Sequence, residues 1–358
     1  MKKLLSILPL LVVVIGVHLL TSATDTMYYL TQMTMSAYYS LLIIGLCVLM
    51  GYAGQISLGH AGFFAIGGYL SAALTTRSLI PYQDTLPVKL LDSAGFLLAG
   101  QDLYGDSLLV VTPWAACILA VVTAALIAVA IGIPVLKLKG HYLAMATLGF
   151  GIIIYRVVLA SEYFGEADGI SEVPAFVLLP GLSVSGNFGD RVQNYYIAWG
   201  LLLIGMVLLL NLMDSRVGRA LRGIHGSEEA ADAMGVNTAR FKLQTFVLSA
   251  VFAAIAGVFL THYNGGIGPS EAGVMKSVRY VAIVAVGGMA NLWGALLMGI
   301  VLNFLSLRGS FGSYDDAVFG LILILIMLFA PNGILSINVR YRLGQLLGRN
   351  KQDREGEM

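Results

Sequence analysis

The chain has 358 residues, 58% of them hydrophobic and only 11% charged, with a mean hydropathy of +0.84. A soluble domain carries about 25% charged residues, so the composition excludes a water-soluble globule and predicts an integral membrane protein with many spans. The net charge of +1 argues against a nucleic-acid partner.

The first predicted element is the apolar run from Leu4 to Leu20 behind Met1-Lys2-Lys3. Thr21-Ser22-Ala23 resembles a signal-peptide cleavage site. The run is at the lower limit for a span, and an uncleaved first helix is the expectation. Further runs lie at about 36–50, 58–76, 110–133, 141–160, 197–213, 243–262, 277–307 and 318–335. Most approach the ~20 residues that cross a bilayer. The 277–307 run would make one straight helix of about 46 Å, too long for one span and too short for two. Gly287-Gly288 and Asn291 interrupt its middle, which predicts two short helices meeting at a turn. Met50-Gly51-Tyr52-Ala53-Gly54 is a similar interruption. The expected fold class is therefore an all-α polytopic membrane protein with about ten crossings, broken helices and possible inverted repeats. Residues 1–35 form the N-terminal helix and link, 36–335 the transmembrane domain, and 336–358 a polar tail. Cys47 and Cys117 both fall inside apolar runs without metal-ligand spacing, so no disulfide, metal site or cofactor is expected.

Basic residues orient the bundle. With both termini in the cytoplasm, the inner segments collect Lys2, Lys3, Lys137, Lys139, Arg216, Arg219, Arg222, Arg240, Lys242 and the basic tail. The outer segments keep Arg77, Lys89, Arg191, Lys276 and Arg308, and the acidic residues show the opposite bias. This topology places no Asp or Glu inside a span. Two long outer segments, about 77–109 and 161–196, are candidate binding surfaces, or simply solvated acidic faces.

The most polar stretch, Asp214 to Lys242, lies on the inner side. Ser227 is a good helix N-cap, Glu228 and Glu229 put negative charge on the first turn, Ala230 and Ala231 favour helix, and Gly235 is a natural stop. Arg216, Arg219 and Arg222 recur at helical spacing just before it, which suits lipid phosphates or an acidic partner face. From charge pattern alone, this is either an ordinary inner loop or a helix offered to a partner.

The segment Gly51 to Tyr69 is dense in glycine. Glycine permits close helix approach and helix breaks that expose backbone to a cavity. Gly54, Gln55, Ser57, Gly59 and His60 supply small or polar groups without fixed charge, as a path for a small zwitterion requires; tight packing alone would need the same residues. Gly287, Gly288 and Asn291 are candidates for the same path. His60 has no partner at metal-binding spacing.

The run Gly51-Tyr52-Ala53-Gly54-Gln55-Ile56-Ser57-Leu58-Gly59-His60-Ala61-Gly62-Phe63 resembles the signature of branched-chain amino-acid ABC transporter permeases, M-type subunit. Lys139-Gly140-His141-Tyr142-Leu143-Ala144, Asp168-Gly169-Ile170, Pro174, Pro269, Gly287-Gly288 and Trp293-Gly294 follow the same family pattern in order. Glu229-Ala230-Ala231, three residues, then Gly235 resembles the loop of bacterial ABC importers that fits a cleft on the ATPase. The closing Leu-Pro of the fuller pattern is missing, and Glu162-Tyr163-Phe164-Gly165-Glu166 and Met289-Ala290-Asn291 depart from the usual glycine-rich forms. Permeases for urea and short amides share much of the signature, so two cargo classes stay open.

The resemblance implies a non-enzymatic permease of the bacterial inner membrane. It implies ABC ATPase subunits, a second related permease in a heterodimer, and a periplasmic or extracellular substrate-binding protein as partners, with membrane lipid around them. Ser227, Glu228, Glu229, Ala230, Ala231 and Gly235 would couple it to the ATPase. No phosphate-binding loop of the Gly-x-x-x-x-Gly-Lys-Ser/Thr type occurs in the chain. An ion-coupled transporter would require acidic residues in its spans, and a passive channel would leave the Glu229 helix unused.

Overall fold

The computed structural model describes residues 2–329 apart from 102–104, 106, 139, 310 and 311. Lys139 and the tail 336–358 lie outside the described residues.

The chain folds as a helical bundle. Helix α1 (Lys2–Ala23) is followed by α2 (Tyr28–Cys47), which continues into a π-helical turn at Val48–Tyr52. An irregular segment, 53–59, leads into α3 (His60–Thr76). After α4 (Leu86–Ser93) and the hairpin of β1 (Leu97–Gln101) and β2 (Ser107–Val111) come α5 (Pro113–Val135) and α6 (His141–Ala160). Strands β3 (Ile170–Ser171), β4 (Phe176–Leu179) and β5 (Leu182–Val184) precede α7 (Arg191–Asp214). Two short helices, α8 (Arg216–Gly226) and α9 (Glu228–Ala233), form an elbow before α10 (Thr238–Asn264). Strand β6 (Gly266–Ile267) and a 3-10 turn at Pro269–Ala272 lead into α11 (Val274–Gly287), α12 (Leu292–Leu307) and α13 (Asp315–Phe329).

The all-α polytopic expectation holds. The helix at Tyr28–Tyr52, α5, α6, α7 and α10 are each long and apolar enough to cross a membrane, and Leu8–Ala23 within α1 and helix α12 are shorter apolar stretches. Within its most apolar window the α2 helix is 89% buried and α10 67%, against 28% for α5 and α6. So α2 and α10 form the centre, and α5 and α6 turn apolar faces such as Ile118, Leu126, Met145 and Ile153 outward, as lipid-facing helices do. The central crossings rely on small residues. A methyl group at Gly67 would sit 2.2 Å from the Ala254 carbonyl oxygen, and one at Gly257 2.1 Å from that of Phe64, so α3 and α10 touch backbone to backbone.

The predicted long segments carry secondary structure in their described residues. The first carries α4 and the β1–β2 hairpin. The second carries the β4–β5 hairpin and strand β3, which pairs with β6 through Ile170 and Ile267. Gly169 adopts φ +73° within 2.2 Å (as a virtual Cβ) of the Ile267 carbonyl oxygen, so only glycine fits this junction. These hairpins mark one end of the bundle. The α8–α9 elbow marks the other.

The broken 277–307 run is resolved as expected: α11 and α12 meet at a turn through Gly288, whose φ is +98°. The 265–273 segment does not stay at the hairpin end. From β6 it turns inward, packs against α3 and α6, and brings Glu271 to Tyr39, deep along α2. Charged residues therefore do lie inside the bundle, because Pro269–Ala272 breaks the helical path and lets a carboxylate reach in from the hairpin end.

Candidate functional site

The elbow is built as its residues predict. Ser227 Oγ accepts the Ala230 amide at 3.2 Å and caps α9. Glu228 turns back and receives both bonds of Lys242 Nζ, at 2.8 and 2.9 Å, tying α9 to the root of α10. Gly235 closes the helix at φ +82°. Ala231 is buried against the bundle, whereas Glu229, Ala230 and Ala233 are exposed and Met234 is 85% exposed. The tip thus combines the carboxylates of Glu229 and Asp232, two small side chains and a projecting thioether. In α8, Ser215 Oγ accepts the Val217 amide, and Arg222 donates to the Met213 carbonyl at 2.9 Å.

The elbow touches the first break. Helix α8 packs on the π-helical turn at the end of α2, and Gly54, at φ +67°, lies against the His225 ring. From there 53–59 climbs into the bundle. Ser57 Oγ and Ser249 Oγ engage the two ring nitrogens of His60 at 3.0 and 2.8 Å. Gly59 lies against the Thr147 backbone, whose hydroxyl accepts the Leu58 amide. Gln55 differs: it is buried, yet neither amide atom has a hydrogen-bond partner. It borders a cavity of about 150 Å³ shared with His225, Glu228 and Lys242.

The remaining predicted residues form the α11–α12 turn. Gly287 packs on the backbone of Gly294 and Ala295, and Asn291 Oδ1 caps α12 by accepting the Gly294 amide at 3.2 Å. A methyl at Gly51 would lie 1.3 Å from the Met289 carbonyl oxygen, to which Cys47 Sγ also donates at 3.4 Å. The structure therefore gathers Gly54, Gln55, Gly287, Gly288 and Asn291 around the elbow end of α2. Ser57, Gly59 and His60 sit higher, at the start of α3. Among the described residues, no group of three or more His, Cys, Asp or Glu could hold a metal ion.

Beyond the hairpins, a cleft of about 750 Å³ opens between β1–β2 and residues 169–177, lined by Arg77, Trp114, Glu172 and Pro174 among others.

With this geometry in hand, comparison with known proteins is decisive. The family described as branched-chain amino acid transport system / permease component matches residues 28–329. The chain belongs to this permease family. It is similar to the high-affinity branched-chain amino acid transport system permease protein LivM of Salmonella typhimurium, at 30% identity over 88% of this chain and 72% of that protein. LivH of Escherichia coli is 28% identical over 86% of this chain and 96% of its own length. The fructose import permease FrcC of Rhizobium meliloti is 27% identical over about half of each chain, 51% and 52%. No solved structure matches. The matches bear out the resemblance to M-type permeases, and the chain is a multi-pass membrane permease.

Two features of this permease escape sequence reasoning. Met234 reads as an ordinary helix former, and its only signal is an apolar side chain just before the stop glycine. Glu271 and Lys276 read as outer-loop charges, yet they pair inside the bundle at 2.9 Å. Pro269, five residues before α11, was the available hint of a chain turning inward.

Proposed function

We propose that this chain is the membrane subunit of an ABC importer for branched-chain amino acids, worked by separate ATPase subunits. The relatives' names supply the cargo. The observation that carries the drive is the elbow: a capped helix offering Glu229, Ala230, Ala233 and Met234 to an outside partner while its opposite face is tied by Glu228 to Lys242. The exposed thioether and small side chains suit a cleft on the ATPase.

In this reading both termini are cytoplasmic in the bacterial inner membrane, and 214–242 is the coupling loop within a transmembrane domain spanning 36–335. The ATPase dimer closes on ATP and displaces α9. Helix α8 passes the push to the π-helical turn, and Gly51 passes it to the α11–α12 turn. The Gly51 contact is backbone on backbone, so displacement is transmitted there rather than absorbed. Gly54, Gln55, Ser57, Gly59, His60, Gly287, Gly288 and Asn291 then line or frame the moving inner half of the path. A second, related permease completes the pore, and a substrate-binding protein delivers cargo to the cleft at the hairpin end. The permease adds alternating access and leaves first selection to that protein.

The test is reconstitution of the chain with its partner permease, ATPases and binding protein in vesicles. ATP-driven leucine uptake is expected, with Glu229→Arg abolishing both uptake and ATPase association. Full uptake by that variant, or uptake driven by a proton gradient alone, removes the proposal.

A further inference from the structure

Glu271, in the 265–273 segment that breaks the helical path between α10 and α11, pairs with Lys276 in the first turn of α11, with side chains 19% and 26% exposed. Charged groups in a membrane protein are costly, and where they occur they face a path or a cavity. Tyr39 donates to Glu271 Oε1 at 3.0 Å, and Lys276 Nζ lies 3.3 Å from the same hydroxyl and 4.9 Å from its ring centre. All the shown bonding falls on Oε1. Oε2 is buried with no partner.

Two more polar atoms in the same region are in the same condition. The hydroxyls of Tyr69 and Tyr280 are buried and unpaired, and both side chains are 1% exposed. The Tyr280 ring lies 6.1 Å from that of Tyr39, and Tyr69 packs in one cluster with Ala272, the residue after Glu271. A buried polar group without a partner costs stability. Three of them around one ion pair have a common explanation in a ligand that supplies both donors and acceptors. The helix ends agree. Ser277 Oγ accepts the Ala61 amide at 3.1 Å, so the amino-terminal turns of α3 and α11, each following a break, converge here. Broken helices present such ends to anionic groups in transporters.

We propose that Glu271, Lys276 and the hydroxyls of Tyr39, Tyr69 and Tyr280 form an intramembrane station for a zwitterionic α-amino acid. The ammonium sits at Glu271 Oε2, and the carboxylate sits against Lys276 and the first turn of α11. A zwitterion fits because it inserts one charge of each sign into an existing pair and leaves the net charge of the site unchanged. The station lies on α11, whose other end abuts the α12 turn that Gly51 contacts. Motion at the elbow therefore reaches Lys276 along one rigid helix and shifts it relative to Glu271, which is anchored on the 3-10 turn outside that helix. This rests on the amino-acid cargo proposed above.

The test uses the reconstituted complex and radiolabelled leucine. Tyr69→Phe and Tyr280→Phe keep volume and remove only the unpaired oxygen. Each is expected to lower uptake roughly tenfold, the loss of one hydrogen bond to a charged group, while melting temperature stays level or rises. In a purely structural core the same variants would leave uptake unchanged. The double exchange Glu271→Lys with Lys276→Glu restores an ion pair but reverses its placement, and uptake is expected to stay lost; recovery to wild-type uptake makes the pair structural and overturns the station. Wild-type rates in both Phe variants overturn it too. Wild-type complex that carries no leucine, isoleucine or valine removes the cargo reading instead. If the cargo it then carries is uncharged, such as urea, the station falls with it; if it is another zwitterion, the same variants decide the station on that cargo.

Discussion

Residues 53–59 and 265–273 both interrupt the helical path, both lead into a helix that starts part-way across the bundle, and they approach from opposite ends. The first leaves α2 beside the elbow and the second leaves α10 beside the hairpins. They differ in chemistry. The first is neutral: His60 is satisfied by two serine hydroxyls and Gln55 is left unpaired against a cavity. The second is charged, with Glu271 held by Lys276 and Tyr39. The difference follows from what each break has to do. A segment that moves with the elbow must not drag a fixed charge through apolar surroundings, where desolvation costs several kcal/mol. A segment anchored by strand pairing to the hairpin end can hold charge, because the Glu271 carboxylate itself stays in place against Tyr39. The pairing of β3 with β6 is that anchor.

The largest expected effect breaks the link between the first break and the α11–α12 turn. Gly51→Val places its Cβ on the Met289 carbonyl, which is backbone and cannot rotate away. A loss of about 3 kcal/mol or more is expected from overpacking, read as poor recovery of monodisperse protein in detergent. A well-behaved variant of wild-type melting temperature would show that this contact is not close.

Next comes the charged break. Lys276→Met leaves Glu271 buried with only Tyr39. A loss on the order of 2–3 kcal/mol is expected, somewhat below that of a fully buried orphan charge because the pair keeps some solvent contact. Thermal unfolding of the purified complex measures it. The neutral break should respond with the opposite sign. Gln55→Met removes two unpaired polar atoms and should stabilise by about 1 kcal/mol, while lowering uptake if that amide serves the path. Destabilisation by Gln55→Met would mean that the amide is satisfied in the protein and that the two breaks do not differ as described.

The legibility of these regions in sequence follows the range of the interactions. The elbow was readable residue by residue, since an N-cap at Ser227, acidic first turn and Gly235 stop act within one helical turn. The break at Gly287-Gly288 was readable too, because glycine spacing in an apolar run is a local signal. The apolar runs were readable as well, and helices cover them in the described residues. Glu271 was not readable as an interior residue. Its position depends on Tyr39, far away in the chain, and on an antiparallel pairing of only two residues a strand, Ile170–Ser171 with Gly266–Ile267. Nor could sequence separate the roles of Asn291 and Gln55. Both are polar residues at breaks, yet one caps a helix and the other faces a cavity, and only their neighbours distinguish them.

The smallest effect tests whether motion at the elbow is felt by one break and not the other. Ser227→Ala removes the hydroxyl that accepts the Ala230 amide, which costs about 1 kcal/mol of local helix stability. The Lys242–Glu228 pair remains, so α9 loosens without leaving the bundle. Amide exchange at 228–234 should quicken by roughly fivefold, the rate equivalent of that energy under local opening. Helix α8 links α9 to the π-helical turn by direct packing, so 48–55 should quicken as well, by less. Residues 265–273 are held by β3 and by Tyr39, neither of which touches the elbow, so their exchange should not change. Equal quickening of both breaks would mean that the elbow loosens the whole bundle, and the separation into a moving neutral break and an anchored charged one would be lost. No change at 48–55 would cut the first link between α9 and the path.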